Sequence, residues 1–205
     1  MKYIGPKAKK CRQQGMNLFG SDKYDRILQK KPYAPGKGPR VRSGRKSPYA
    51  RQLLEKQRIR TLYGVNERQF RCLYADASRA KGQTGELLKQ LLERRLDNVI
   101  YRAGFALTRL QSRQFVGHGL FKVDGRRVTC ASYSVRPGQK IAIRDKTKDS
   151  PVFAMIRDAH AKYLPPPWLH VDLAALLIDV ISLPEPKDAE QAIDVRQVIE
   201  FYSRV

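Results

Sequence analysis

The spacing of apolar residues changes along the chain. Up to residue 46 neither a helical nor a strand period is recognisable, and Pro and Gly interrupt the basic segment KKPYAPGKGPRVRSGRKSP at 30–48. Beyond this segment, apolar residues recur every three to four positions as far as about residue 119, which indicates helices. From residue 120 they alternate, which indicates short strands. The pattern predicts an extended arm, a helical region and a small sheet.

Capping signals divide the helical region. Ser47 followed by Pro48 is typical of a helix start, and Gly64 is a suitable end for that helix. Asn66, with Gln69 three residues later, forms a capping box for a second helix. We therefore expect two successive helices after the arm.

The most regular apolar stripe predicts one continuous helix over about residues 85–103. Its apolar face consists of Leu88, Leu91, Leu92, Leu96, Val99 and Ala103. Arg95 lies on or beside this face. A buried arginine needs a carboxylate or capping carbonyl groups as partners, whereas an arginine at the end of the face would meet a ligand. The sequence leaves both possibilities open.

A short helix and a hairpin follow. Thr108 is a suitable cap for a helix that ends at Gly117 or Gly119. The alternating residues 120–128 surround the pair Asp124-Gly125, a strong signal for a two-residue hairpin turn.

Four further elements complete the predicted fold. We expect strands at residues 140–144 and in the segments WLHVDL and LIDVISL, and a helix from Ser150-Pro151 to about Tyr163. The tail VRQVIEFYSRV has the period of a last helix. The expected fold class is α+β, with a basic N-terminal arm (1–46), a helical domain (47–92) on which the last helix (about 193–205) packs back, and an α/β domain (93–192) containing a compact module of two helices and a small antiparallel sheet (about 93–155).

Charge narrows the choice of partner. Lys and Arg number 41 against 19 Asp and Glu, which gives a net charge of +22. Such an excess favours a polyanion, either nucleic acid or an anionic membrane. The longest apolar run, near LAALLIDVI at 173–181, is too short to cross a bilayer, and no secretory signal opens the sequence. We therefore expect a cytoplasmic protein with a nucleic-acid partner and no membrane.

The residues do not suggest catalysis. The chain has three cysteines, Cys11, Cys72 and Cys130, without the paired spacing of a disulfide framework or a zinc site. There is also no Gly-rich phosphate loop, paired acid and base, or Ser-His-Asp arrangement. We expect no catalytic residue, cofactor or metal.

Basic residues cluster around the short helix and the hairpin. Their guanidinium forks and amides suit bidentate contacts to phosphate. Because A-form RNA hides its bases in a deep groove, such a surface would recognise shape, phosphates and ribose hydroxyls. Aromatic platforms for a single strand are scarce. The expected RNA-binding residues are Arg51, Lys56, Arg58, Arg60, Arg71, Arg94, Arg102, Arg109, Gln111, Arg113, Gln114, His118, Lys122, Arg126 and Arg127.

Two simpler interpretations stay open. A run of charges is often only a solvated surface, although the net charge of +22 makes this less favourable here. His118 lies between two glycines and could equally be a turn residue that makes a backbone hydrogen bond.

The segment LLERRLDNVIYRAGFALTRLQSRQFVGHGLFKVDGRRV (91–128) resembles the RNA-binding module named after the fourth protein of the bacterial small ribosomal subunit. Segments at 3–15, 55–88, 166–172 and 198–204 also resemble that ribosomal protein family, nearly end to end. The resemblance implies binding of small-subunit rRNA early in assembly, organisation of its five-prime domain, and contacts with neighbouring ribosomal proteins. It also implies that Arg40, Arg42, Arg45 and Lys46 lie near the path along which mRNA enters, where related proteins influence decoding accuracy and the unwinding of structured mRNA.

One departure from the family concerns zinc. Many relatives carry four cysteines in the first part of the chain, including a Cys-x-x-Cys pair. Here only Cys11 matches that set, and Ala8 stands where its near partner would be. One thiolate cannot build a tetrahedral site. We therefore predict the zinc-free form.

The same module also occurs in pseudouridine synthases, so an rRNA-modifying enzyme is the alternative. These enzymes place a catalytic aspartate in an Arg-Leu-Asp context, which Arg95-Leu96-Asp97 matches. However, Asn98-Val99-Ile100 follows here instead of a Thr-Ser-Gly-type stretch. We expect Asp97 to point away from the leucine face and to pair with a cation.

Overall fold

The computed structural model describes residues 3–36, 38, 44, 46–148, 150–151, 153, 155–156, 163–191 and 193–204. The chain forms two compact units. The first comprises residues 1–85 and 190–205, and the second comprises residues 86–189. No helix among the described residues combines the length and the apolar character needed to span a bilayer.

The first unit is helical. It contains α1 (Lys7–Gln14), α2 (Asp22–Lys30), α3 (Pro48–Leu62), α4 (Glu67–Arg79) and α8 (Val195–Ser203), while α5 (Thr84–Glu93) crosses the boundary between the units. The caps expected at Ser47 and Asn66 form, since their side chains accept hydrogen bonds from Ala50 N and Gln69 N.

Helix α8 packs against α3. The amide of Gln52 donates to Glu200 at 2.7 Å, and the ring of Tyr202 stacks on Tyr74 of α4 with centroids 4.5 Å apart. Phe70 and Val198 are fully buried between these helices. The last helix therefore completes the core of the unit that begins the chain.

Helices α1 and α2 correct the expectation of an extended arm over residues 7–30. The apolar residues Cys11, Leu18 and Phe19 follow no helical period, yet all three are buried. Tertiary hydrogen bonds fix α1, because Gln14 donates to the carbonyl of Leu54 and Arg58 donates to the carbonyl of Gln14. Contacts of this kind leave no periodic signal in the sequence.

The second unit packs two helices on an antiparallel sheet. It contains α6 (Leu96–Arg102), α7 (Arg109–Gly117), a 3-10 turn (Asp145–Thr147) and the strands β1 (Phe121–Val123), β2 (Arg126–Arg127), β3 (Lys140–Ile143), β4 (Leu169–Asp172) and β5 (Leu177–Val180). The strand order is β2-β1-β3-β5-β4. Phe121, Ile141 and Ile178 point from the sheet into a core shared with Val99 and Ile100.

The predicted hairpin forms around Asp124 and Gly125. Both residues have positive φ, 48° and 79°, as a type I′ turn requires. Lys122 pairs with Arg127 across the two strands. The carboxylate of Asp124 also accepts from the backbone N of Lys140 and the amide of Gln139, both at 2.9 Å, and so ties the turn to β3.

The single helix expected over 85–103 is two helices, α5 and α6. At the break Arg95 is extended, with φ −68° and ψ 135°, and it forms a β-bridge with Ser134. Leu96 N donates to Tyr133 O at 2.8 Å, and Val135 N donates to Arg94 O at 2.9 Å. Backbone pairing with residues 133–135 therefore interrupts the helix. The helical spacing of apolar residues continues on both sides of the break, so it gave no sign of it.

Part of the helix expected from Ser150 to Tyr163 is described. Pro151, Phe153, Met155 and Ile156 are helical, and Phe153 and Ile156 are buried in the core of the second unit. Residues 157–162 lie outside the described residues.

Candidate nucleic-acid interface

A buried carboxylate at the start of α6 holds two arginines. Asp97, 4% exposed, accepts from Nε and Nη2 of Arg95 at 3.1 and 2.9 Å, and from Nη1 of Arg113 at 3.3 Å. The hydroxyl of Ser112 donates to the backbone carbonyl of Asp97. The sequence left open whether Arg95 is buried and paired or meets a ligand. Arg95 is 3% exposed, so it is the buried, paired arginine. Asp97 pairs with cations as expected, but it is buried rather than directed away from the core.

A second buried carboxylate, Glu93, holds one arginine directly and another through an asparagine. It is 0% exposed, and both of its oxygens accept from Arg102, from Nε and Nη2 at 3.0 Å. The amide of Asn98 also donates to Glu93, while its carbonyl accepts from Nε of Arg109 at 2.9 Å. The guanidinium of Arg109 lies 4.5 Å from the centre of the Tyr101 ring. Glu93 therefore orients Arg102 directly and Arg109 through Asn98.

These contacts define an arginine cluster of Arg102, Arg109 and Arg113 on α6 and α7, in which every side chain is partly exposed. Carboxylates buried beneath the cluster fix the guanidinium planes. Side chains immobilised in the free protein lose less entropy when they bind a partner. The cluster is therefore preorganised for bidentate contacts to phosphate.

Two polar residues of α7, Gln111 and Gln114, and its C-cap residue, His118, were also expected to bind RNA. Gln111 accepts from Leu107 N at 2.9 Å and so supports the helix start, whereas Gln114 and His118 are exposed. The backbone carbonyl of His118 accepts from Nη2 of Arg127 at 3.2 Å.

The hairpin presents three further cations. Arg126 and Arg127 are exposed on β2. Lys122 on β1 donates to Asp145 at 2.9 Å. Hydrogen bonds from Lys122 and Lys148 lower the pKa of Asp145, which therefore stays ionised well into the acid range. Two of the three hairpin cations thus have a fixed partner, Lys122 in Asp145 and Arg127 in the carbonyl of His118.

The structure adds basic residues that the sequence analysis missed. Arg136 lies close enough to Arg94 that burial, together with the charge of Arg136, lowers the pKa of Arg94. Arg94 also donates to Val135 O at 3.1 Å. Arg144 follows β3 and donates to Gly119 O at 3.4 Å. The sequence did contain a signal for Arg136, because it directly precedes the turn Pro137-Gly138 that leads into β3.

Two of the expected residues in the first unit take part in an internal network. Lys56, 8% exposed, donates to Glu67 at 2.8 Å and lies 4.3 Å from the centre of the Phe201 ring. Arg60 contacts the other oxygen of Glu67 at 2.7 Å. Burial alone would raise the pKa of Glu67, but hydrogen bonds from Lys56 and Tyr202 and the two positive charges hold it below its usual value. Both cations therefore support the packing of α3, α4 and α8.

The remaining expected residues of the first unit differ in exposure. Arg51 and Arg71 are exposed, and Arg58 pairs with Glu55 at 2.6 Å. Of the residues expected near mRNA, Lys46 is exposed, whereas Arg40, Arg42 and Arg45 lie outside the described residues. The part of the chain that the structure describes contains no group of three or more potential metal ligands.

Comparison with known proteins gives a full-length match. The profile described as "Ribosomal protein S4/S9 N-terminal domain" matches residues 2–93, and the profile "S4 domain" matches residues 94–141. The chain is 46% identical over 206 residues to the small ribosomal subunit protein uS4 of Roseiflexus sp. (strain RS-1), 42% over 207 residues to that of Thermus thermophilus and 43% over 205 residues to that of Parabacteroides distasonis. Each alignment covers 99% of both chains.

The extent of the match decides between the two functional interpretations. A pseudouridine synthase would share only the S4 domain, whereas here the similarity runs through both units, and the family consists of structural proteins of the ribosome. Asp97, the aspartate of the Arg-Leu-Asp tripeptide on which the enzyme alternative depended, is enclosed by Arg95 and Arg113. The chain belongs to the S4 family of small-subunit ribosomal proteins.

Proposed function

We propose that this chain is a cytoplasmic structural constituent of the small ribosomal subunit that binds small-subunit rRNA early in assembly and holds its five-prime domain in place. The observation that carries the proposal is the arginine cluster, whose three members lie in the S4 domain and are held by the buried Glu93, directly or through Asn98, and by the buried Asp97. The exposed hairpin cations Arg126 and Arg127 extend this surface.

The electrostatics support the same partner. With a net charge of +22, the chain gains affinity when it neutralises phosphates and releases their counterions. The cluster and the hairpin offer planar forks rather than stacking rings, which suits folded RNA recognised by its backbone. Within the subunit, neighbouring ribosomal proteins would be further partners.

The affinity for a transcript of the rRNA five-prime domain tests this proposal. Filter binding over a range of salt concentrations should give a log–log slope of about −0.7 to −0.9 for each phosphate contacted. Arg126→Ala and Arg127→Ala should each weaken binding and reduce the slope by about one contact. Lys187→Ala is the charge-matched control and should bind like the wild type, because Lys187 is exposed in the segment after β5 and pairs with Glu185 rather than belonging to the cluster or the hairpin. Binding that ignores salt would contradict the proposal.

A finer part of the proposal concerns mRNA. Residues 40–46 carry four cations, Arg40, Arg42, Arg45 and Lys46, and would lie near the path along which mRNA enters. Ribosomes that carry Arg40→Ala, Arg42→Ala and Arg45→Ala together should assemble normally but translate through an mRNA hairpin more slowly than wild-type ribosomes. Equal rates on structured and unstructured messages would overturn this assignment.

A further inference from the structure

Two arginines converge on the loop between α7 and β1. Arg127, on β2, donates through Nη2 to the carbonyl of His118 at 3.2 Å. Arg144, directly after β3, donates through Nη1 to the carbonyl of Gly119 at 3.4 Å. Because β1 lies between β2 and β3 in the sheet, the two side chains approach this loop from opposite sides. Successive backbone carbonyls therefore hold the two guanidinium groups on one loop.

The register of the sheet places both arginines on the same face. Side chains of a strand alternate between the two faces of a sheet. Phe121 and Ile143 point into the core. Lys122 and Arg144 directly follow them and so point the other way, and Arg144 is still extended, with φ −62° and ψ 135°. Arg127 pairs with Lys122 across the strands and therefore shares its face. Arg127 and Arg144 thus lie on the face away from the core, on either side of β1.

Among the described residues, neither arginine has an acidic partner, since each bonds to a backbone carbonyl. The arginine cluster differs, because buried carboxylates neutralise part of its charge. Asp145 follows Arg144 in the chain, but its carboxylate pairs with Lys122 and Lys148. The carbonyl end of α7 carries a partial negative charge, which helps to hold two like charges close together. The pair therefore keeps two positive charges that an anion can neutralise.

The remaining donors of the two arginines are accessible to a ligand. A guanidinium has five N–H donors, and each arginine uses one of its nitrogens for the carbonyl contact. Arg127 is exposed. Arg144 is half-buried, and none of its nitrogens is among the unpaired side-chain atoms that are closed to solvent. Both arginines thus present open donors on forks that are already oriented.

We propose that Arg127 and Arg144 form a clamp that binds one phosphate group of the rRNA backbone, and the proposal rests on the RNA-binding function inferred above. A phosphate can accept two parallel N–H bonds from a guanidinium fork. Two forks held on one loop can bind the same phosphate from both sides, and they lose little entropy because they are immobilised before binding. The clamp adds Arg144, which the sequence analysis did not select, to the RNA-binding surface.

A double-mutant cycle tests whether the two arginines share one phosphate. Filter binding of the five-prime-domain transcript should compare the wild type with Arg127→Ala, Arg144→Ala and the double variant. Arg144→Ala should weaken binding by roughly 5-fold or more. The double variant should lose no more than about 2-fold beyond the weaker-binding single variant, because groups that share a partner are not additive. Losses that multiply would indicate separate contacts and would overturn the clamp.

Arg126 provides a matched control for this cycle. It precedes Arg127 on β2, so the two side chains point to opposite faces of the sheet. Arg126→Ala combined with Arg127→Ala should therefore give losses that multiply. Equal non-additivity in this control pair would overturn the clamp, because the effect would then not be specific to Arg144.

A conservative variant separates the fork from its charge. Arg144→Lys keeps the positive charge but lacks the planar fork, so it should still bind the transcript at least about 2-fold more weakly than the wild type. Wild-type affinity in Arg144→Lys would overturn the clamp, because charge alone would then suffice. Thermal melting checks that each variant is folded.

Inorganic phosphate gives a readout that needs no RNA. In NMR spectra of the full chain, the side-chain Nε–H signals of Arg127 and Arg144 should shift as phosphate replaces chloride at constant ionic strength. Both signals should share one midpoint, and the shift of the Arg127 signal should be lost in Arg144→Ala. Signals that stay in place, or that move with different midpoints, would overturn the clamp.

The two assays distinguish failure of the clamp from failure of the proposed function. If the wild type binds the transcript and Arg144→Ala binds it equally well, the clamp fails as an RNA site and the proposed function stands, even if inorganic phosphate shifts both signals. If the wild type fails to bind the transcript, the proposed function fails, and the phosphate titration still decides whether the two arginines share an anion.

Discussion

The guanidinium of Arg127 lies against Gly119, in the space that a side chain at this position would occupy. A Cβ added to Gly119 would lie 2.8 Å from Cζ of Arg127. Gly119 also has a φ of +67°, in the left-handed region. The bare backbone between α7 and β1 therefore lets Arg127 reach the carbonyl of His118 and fixes one hairpin cation beside α7.

Gly119→Ala should displace Arg127 and weaken binding of the five-prime-domain transcript. The methyl group would also cost about 1–2 kcal/mol of stability through backbone strain. Gly125→Ala is the matched control, because Gly125 has a φ of +79° but no atom within 4 Å of the added Cβ. Both variants should lose similar stability in urea unfolding, whereas filter binding should show the larger loss for Gly119→Ala. Equal losses of affinity would assign the effect to backbone strain alone.

Asp97→Ala should strongly destabilise the second unit. Removing this carboxylate leaves Arg95 buried without its ion-pair partner, and breaking a buried pair in this way costs about 3–5 kcal/mol. Urea unfolding measures the change. Asp145→Ala is the comparison, because Asp145 also holds cations but is exposed, and it should leave the unfolding midpoint almost unchanged. A small effect of Asp97→Ala would show that Arg95 finds another partner.

The network around Glu67 predicts a pH-dependent stability. Because the folded protein lowers the pKa of Glu67 below 4.5, the stabilisation is complete above that pH and is lost as pH falls through the folded pKa. Glu67→Gln should therefore lower the melting temperature at pH 7, and the difference from the wild type should shrink at pH 3. Asp76→Asn, exposed on the same helix, is the control. A difference that stays constant with pH would contradict this explanation.

The cysteines predict that the fold does not depend on zinc. Cys11 is buried, and burial raises the pKa of its thiol, which disfavours the thiolate that a metal requires. Atomic emission should find far less than one zinc per purified chain, and a chelator should leave the melting temperature unchanged. Zinc at an equimolar ratio would overturn the prediction.

Local signals in the sequence predicted the elements that depend on neighbouring residues. The turn at Asp124-Gly125 and the caps at Ser47, Asn66 and Thr108 depend on residues at most three positions away, and all of them form. The position of most of the basic surface follows from these elements, because α7 and the hairpin carry its residues.

Features that depend on distant partners were not predictable. The break at Arg95 requires residues 131–135, and α1 requires contacts with α3. Likewise, the sequence marks Arg102 and Lys56 only as cations. In the structure Arg102 pairs with the buried Glu93 and stays partly exposed at the surface. Lys56 is buried and pairs with Glu67, so it supports packing instead.

The position of α8 has a consequence for how the protein is made. The second unit is one continuous stretch of the chain, so its fold needs no segment from elsewhere in the sequence. The first unit must wait until residues 195–203 have emerged, because Val198 and Phe201 fill its interior. The helices of the first unit that are made earliest therefore lack part of their apolar interior until α8 is available to pack on them.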